Sequence, residues 1–172
     1  MKKRIAIIAS LVLIVSLCYF GYNITIKSIR YATPIQSFEK SCPANSVLVD
    51  TLEDNGIAML IYKKRNGASA THIISQNQNG WTSVLTDYKN IKQVMQDDGF
   101  INYKIVEGKY VIDIQLVVDD DKEICDSLNS SILTGLYNLD SGRKLFCALL
   151  VTHEKLPDDY RIFFDNQEIS IY

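Results

Sequence analysis

Two hydrophobic patterns divide this chain. From Ile5 to Tyr22 the side chains are almost all apolar and none is charged. A helix needs roughly 20 such residues to cross about 30 Å of hydrocarbon, so the run predicts a single transmembrane helix over 5–22. Lys2, Lys3 and Arg4 precede it, and only Lys27 and Arg30 follow closely. That imbalance, with Tyr19 and Tyr22 suited to the outer interface, makes 1–4 a cytoplasmic tail, 23–31 a stalk, and the bulk of the chain extracytoplasmic. A cleaved signal peptide is the competing reading and wants small residues before its cleavage site, which Ser16-Leu17-Cys18 does not offer. Leu17 likewise stands where a lipoprotein signal needs a small residue, so the expectation is an uncleaved signal-anchor in the cell membrane.

Beyond the stalk the pattern becomes one of strands and turns. Thr33-Pro34-Ile35-Gln36 offers an N-cap, a proline at the first helical position and a Gln three past the cap. This predicts a short helix to about Ser41, with Ile35 and Phe38 docking on a sheet. Asn55-Gly56, Asn66-Gly67 and Asn79-Gly80 then recur between β-rich runs. Asn-Gly suits a type I′ turn because both central residues need positive φ, so three of them predict a four-stranded meander over 47–53, 57–64, 69–76 and 81–85. Ile57 to Tyr62 is apolar at every position, which predicts a central strand covered on both faces, one of them by the helix.

Tyr88, Ile91 and Met95 predict a second helix over 87–96. Strands are expected over 100–106 and 109–118 about Glu107-Gly108, with short strands or loop over 119–138. The end reads as strands over 144–152, 160–164 and 168–172, the last two joined at Asp165-Asn166. The fold class expected is mainly β (α+β): an antiparallel ectodomain over 32–172 with one or two short helices and a candidate subdivision near 97–100.

About 140 residues outside the membrane suffice for one domain with a sizeable core. All the residues after the span, stalk included, carry 15 basic and 20 acidic side chains and a net charge of about −5, which argues against nucleic acid as a main ligand because that needs a concentrated basic surface. Cys42, Cys125 and Cys147 lie outside the span, an odd number where disulfides persist. Cys125 and Cys147 are the favoured bridge, with Cys42 to either left open.

No candidate chemistry has the spacing of a known site. A metal would need convergent ligands, and Cys42, Cys125, Cys147, His72 and His153 show no ligand spacing. Asp119-Asp120-Asp121 with Glu123 has oxygen ligands but lacks the EF-hand spacing and glycine, so it reads as a solvated loop, as does Asp158-Asp159. Trp81 after its turn is a candidate exposed binding aromatic, while Tyr62, Tyr88, Tyr103, Tyr110 and Tyr137 read as sheet-packing residues. Asn23-Ile24-Thr25 and Asn129-Ser130-Ser131 match the glycosylation sequon, which matters only in a eukaryotic secretory pathway. No catalytic, cofactor or metal residue is assigned.

The basic start with one span, the run Asn55-Gly56-Ile57-Ala58-Met59-Leu60-Ile61-Tyr62 leading to Asn79-Gly80-Trp81, and the closing Tyr160-Arg161-Ile162-Phe163-Phe164-Asp165 resemble uncharacterised small membrane-anchored extracytoplasmic proteins of low-GC Gram-positive bacteria. The resemblance implies a location and a β-rich ectodomain and transfers no site. The function expected is a non-catalytic binding module at the cell envelope, its partner an unidentified protein or cell-wall component. The alternatives are an accessory or immunity-type subunit whose span, with Ala9, Ser10 and Ser16, packs on a membrane partner, and an enzyme without a recognisable motif.

Overall fold

The computed structural model describes residues 12–19, 21, 30–83, 88–96, 99–119, 123–128, 130–139, 141–164 and 167–170. It divides into two units, Met1–Arg30 and Tyr31–Tyr172. In the first, residues 12–19 are helical. Among the described residues no helix is long and apolar enough to cross a membrane; most of the predicted span and stalk lies outside them.

The second unit is mainly β. Helix α1 (Pro34–Ser41) begins as its sequence predicts, with Thr33 Oγ1 accepting from Gln36 N at 3.2 Å. Phe38 docks, its ring 5.6 Å from that of Tyr62, but Ile35 is 55 % exposed. The contact stripe runs through Ser37, Phe38 and Cys42, and Ile35 falls outside it.

The meander follows as β1 (Val47–Asp54), β2 (Ile57–Lys63), β3 (Ser69–Asn77) and β4 (Gly80–Ser83), antiparallel and in that order. Of its three turns only Asn55-Gly56 takes positive φ at both residues, 49° and 69°. At the second turn Gly67 alone is left-handed, and Lys64 O accepts from Gly67 N, which makes a type I turn closed by a left-handed glycine. The third turns at Gln78-Asn79, with Asn77 Oδ1 accepting from Asn79 N, and leaves Gly80 in the strand. A Cβ on Gly80 would lie 2.5 Å from the Tyr31 carbonyl, whose backbone exchanges two hydrogen bonds with Trp81.

The predicted helix over 87–96 is instead strand β5 (Tyr88–Gln96), paired along its length with β6 (Gly99–Val106). A bulge between Asn90 and Lys92 inserts Ile91, and this shift of parity hides the period of two in the sequence. Strands β7 (Lys109–Val118), β8 (Ile124–Asp126), β9 (Leu133–Asn138), β10 (Lys144–Thr152), β11 (Arg161–Phe164) and β12 (Gln167–Ser170) complete the domain. They form a five-stranded sheet, β5-β6-β7-β10-β9, and a three-stranded sheet, β12-β11-β8.

Strand alternation stacks these layers. Leu52, Ile57, Met59 and Ile61 of the first sheet share one core with Val106, Val111, Leu145, Cys147, Leu149 and Val151 of the second. The opposite face of the second sheet, with Ile101, Tyr103, Ile112, Ile114, Phe146 and Leu150, packs on Leu156, Tyr160 and Ile162 from the third sheet and its approach. The outer face of the first sheet, Ala58, Leu60, Tyr62, Ile74 and Trp81, is closed by Phe38. Strand β2 is thus buried on both faces, and the two β-rich halves share a core.

Gly135 of β9 sits under the side chain of Tyr137, whose hydroxyl donates to Asp50 Oδ2 across the sheets at 2.8 Å. A Cβ at Gly135 would overlap that hydroxyl and ring. Gly135→Ala is therefore expected to expel Tyr137 from Asp50 and to cost about 1–3 kcal/mol, the range for overpacking. Urea denaturation checks this; an unchanged midpoint would refute the clasp.

Candidate functional site

The residues able to do chemistry are for the most part engaged in holding layers together. Asn102 and Asp113 are register partners across β6 and β7, and Asn102 Nδ2 donates to Asp113 Oδ2 at 2.9 Å. Lys104 Nζ stands 2.5 Å from Asp113 Oδ1. By alternation with Val106 and Val111 these three side chains belong to the face turned towards the first sheet, and all three are buried. Charges taken from water persist only when paired and hydrogen-bonded; Asp113 is ion-paired through Oδ1 with Lys104 and hydrogen-bonded through Oδ2 by Asn102.

His72, on β3 opposite Leu60, has its pKa lowered first by burial and then by Lys104. A depressed histidine pKa stabilises the fold above its ordinary value, about 6.5, and that contribution is lost as pH falls.

Asp126 organises the third sheet. Its Oδ1 accepts from Leu128 N at 3.1 Å and Ser130 N at 2.8 Å, and its Oδ2 accepts from Tyr160 OH at 2.7 Å. Burial alone would raise the carboxyl pKa, but the hydrogen bonds from Ser130, Tyr160 and Leu128 outweigh it and hold it below the ordinary value. Sequence reasoning missed this residue; an Asp two before Leu128 and four before Ser130 is an Asx-type turn signal, but Tyr160 is supplied only by the fold.

The cysteines do not meet. Cys125 is exposed in β8, Cys147 is buried in β10, and Cys42 lies at the C-cap of α1; all three are free thiols. The expected Cys125–Cys147 bridge is therefore not made, because the two side chains sit in different sheets, one facing solvent and one facing the core. Burial pushes the Cys147 thiol up to about 12, with the charges of Asp113 and Asp50 adding. Burial also lifts Cys42 to about 11, against a hydrogen bond with Tyr62 that lowers it.

Trp81 is 2 % exposed, so the exposed binding aromatic expected there is a core residue under α1 and Tyr31. Tyr62 and Tyr103 are buried, and Tyr88 lies in β5. The rings of Tyr103 and Tyr110 lie 6.1 Å apart, tilted by 32°. His153 is exposed in the loop after β10, separate from His72. Asp119 pairs with Arg143 at 2.8 Å, while Asp120, Asp121 and Asn129 lie outside the described residues. Among the described residues no three His, Cys, Asp or Glu side chains are grouped to hold a metal. Comparisons with family models, curated proteins and solved structures find no match to this chain.

What the fold presents outward are its strand edges and loops. Val47 and Val49 of edge strand β1 are exposed, as are Leu136 of edge strand β9 and Leu128 in the loop before it.

Lys104→Met leaves Asp113 buried without its cation and is expected to cost about 3–5 kcal/mol, with Lys104→Met/Asp113→Leu costing less than the two single changes together; equal additive losses by urea denaturation would refute the pairing. Asp126→Asn is expected to lose about 1.5–3 kcal/mol at pH 7. The carboxylate contributes above its unfolded pKa, about 3.9, and that contribution disappears as pH falls through the lower folded value. The stability gap between the Asp126→Asn variant and the wild type should accordingly narrow as pH falls from the ordinary carboxylate range through the lower folded value; a pH-independent gap would contradict the assignment.

Proposed function

We propose that residues 5–22 anchor this chain in the cell membrane as a single pass with the amino terminus in the cytoplasm, and that the β domain works outside as a non-catalytic binding module at the cell envelope. The observation that carries the anchor is the helical stretch 12–19. Val12, Leu13, Ile14, Val15, Leu17 and Tyr19 are each 57–69 % exposed. At about 100° per residue they cover the whole circumference of the helix. An interfacial helix keeps one polar face, whereas a helix apolar on every side belongs inside protein or lipid. The basic residues before the run favour a cytoplasmic start. A binding role is supported by the engagement of Asp50, Lys104, Asp113 and Asp126 in structural contacts, while apolar side chains stand exposed on strand edges. Function on such scaffolds lives on loops and edges.

A membrane-impermeant maleimide applied to intact cells tests topology and fold together. Cys125 should label at once, and Cys147 only after denaturation. Labelling of Cys125 only after cell lysis would overturn the orientation, and rapid labelling of Cys147 in the native protein would overturn the packing.

A further inference from the structure

An open strand edge pairs with other strands unless something blunts it, so each edge of the domain can be asked what guards it. Edge strand β1 has a bulge at Val49, and Asp50 Oδ1 accepts from Thr51 N at 2.7 Å, occupying a backbone donor. Strand β4 is short and bridged on its outer side by Tyr31. Strand β5 carries a bulge. Strands β8 and β12 have three and four residues and contain Asp126 and Glu168.

Strand β9 has none of these devices. It runs six residues, Leu-Thr-Gly-Leu-Tyr-Asn, in unbroken register with β10. From Ser127 to Leu139 the chain contains no charge and no proline. Among the described residues no strand pairs with its outer side.

Its hydrogen-bonding pattern can be read from the hairpin. Leu139 N donates to Arg143 O at 2.8 Å, so the groups of Leu139, Tyr137, Gly135 and Leu133 turn towards β10. Those of Thr134, Leu136 and Asn138 turn outward, and the same three side chains are exposed.

We infer that β9 is a homodimer edge: two copies of this chain pair β9 to β9′ antiparallel, with Leu136 on the two-fold axis. In this register Leu136 faces Leu136′, and Thr134 faces Asn138′ on either side, each pair exchanging two backbone hydrogen bonds. An apolar pair is thus flanked by polar pairs able to hydrogen-bond. The occupant is a second copy because the strand is complementary to itself in this register. The uncharged segment also brings two acidic domains together without like charges at the contact. The inference goes beyond the anchored-module reading and does not depend on it.

Cysteine scanning of the full-length chain tests the register, in a Cys18→Ser/Cys125→Ser background that removes the other exposed thiols. Directly paired residues have Cα atoms about 5.5 Å apart, within disulfide reach. Leu136→Cys should therefore oxidise to a covalent dimer as the majority species on a non-reducing gel. Thr134→Cys, about 14 Å from its own copy in this register, should stay monomeric. Leu136→Lys, at a partly exposed position, places two ammonium groups on the axis and should shift the full-length chain from dimer to monomer in sedimentation. Absence of the Leu136→Cys dimer, equal crosslinking of Thr134→Cys, a Leu136→Lys chain that still dimerises, or crosslinking to a different protein would each overturn the inference.

Discussion

The apolar seam between the first two sheets is the contact on which the rest of the domain depends. Leu52, Ile57, Met59 and Ile61 meet Val106, Val111, Leu145, Leu149 and Val151, and all are buried. Burial of apolar area at roughly 25 cal/mol per Å² is non-directional, so it brings the sheets together without specifying how they align. The second sheet then has its other face available for the β8–β11–β12 layer, and the first sheet has its outer face available for α1. Each layer is needed because strands such as β2 and β10 are apolar on both sides.

Alignment comes from the polar contacts. Tyr137 reaches Asp50, Ser75 donates to Glu107, and Lys109 Nζ donates to the carbonyl of Asn55, all three crossing from one sheet to the other. Within the second sheet, a slip of one residue between β6 and β7 would turn Asn102 and Lys104 away and leave Asp113 buried alone. The buried triad thereby selects one register among those that apolar packing would tolerate. Glu107 adopts a positive φ of 50°, unfavourable for its side chain, in the turn that aims it at Ser75.

Much of this fold was legible in the sequence where the signal is local. The capped start of α1, the meander, and β6, β7 and β10 all follow from turn residues beside runs of fixed period. The sequence misleads where a local irregularity masks the period, or where the decisive partner lies far along the chain. In β5 a bulge disguised the alternation, and the pairing with β6 settled the conformation. Trp81 looked available for binding because its cover, Phe38 and Tyr31, comes from a distant part of the chain. Cys125 and Cys147 look like a pair because they fall in the same half of the chain, yet sequence does not say which face of which sheet each will occupy. Asp126 was passed over because Tyr160, 34 residues away, supplies half of its environment. The polar network was therefore largely invisible, and the β9 edge became visible only once the sheet order identified it as an edge.

The layers form one cooperative core. Trp81 is the sole tryptophan and sits in the outer core of the first sheet, so its fluorescence reports on that layer, while amide exchange in β7 reports on the centre of the second sheet. Both should be followed through one urea titration of the full-length chain. A shared core predicts one transition with the same midpoint and slope for both probes. Loss of the Trp81 signal while β7 amides stay protected would contradict it, because the first sheet would then fold and unfold apart from the second.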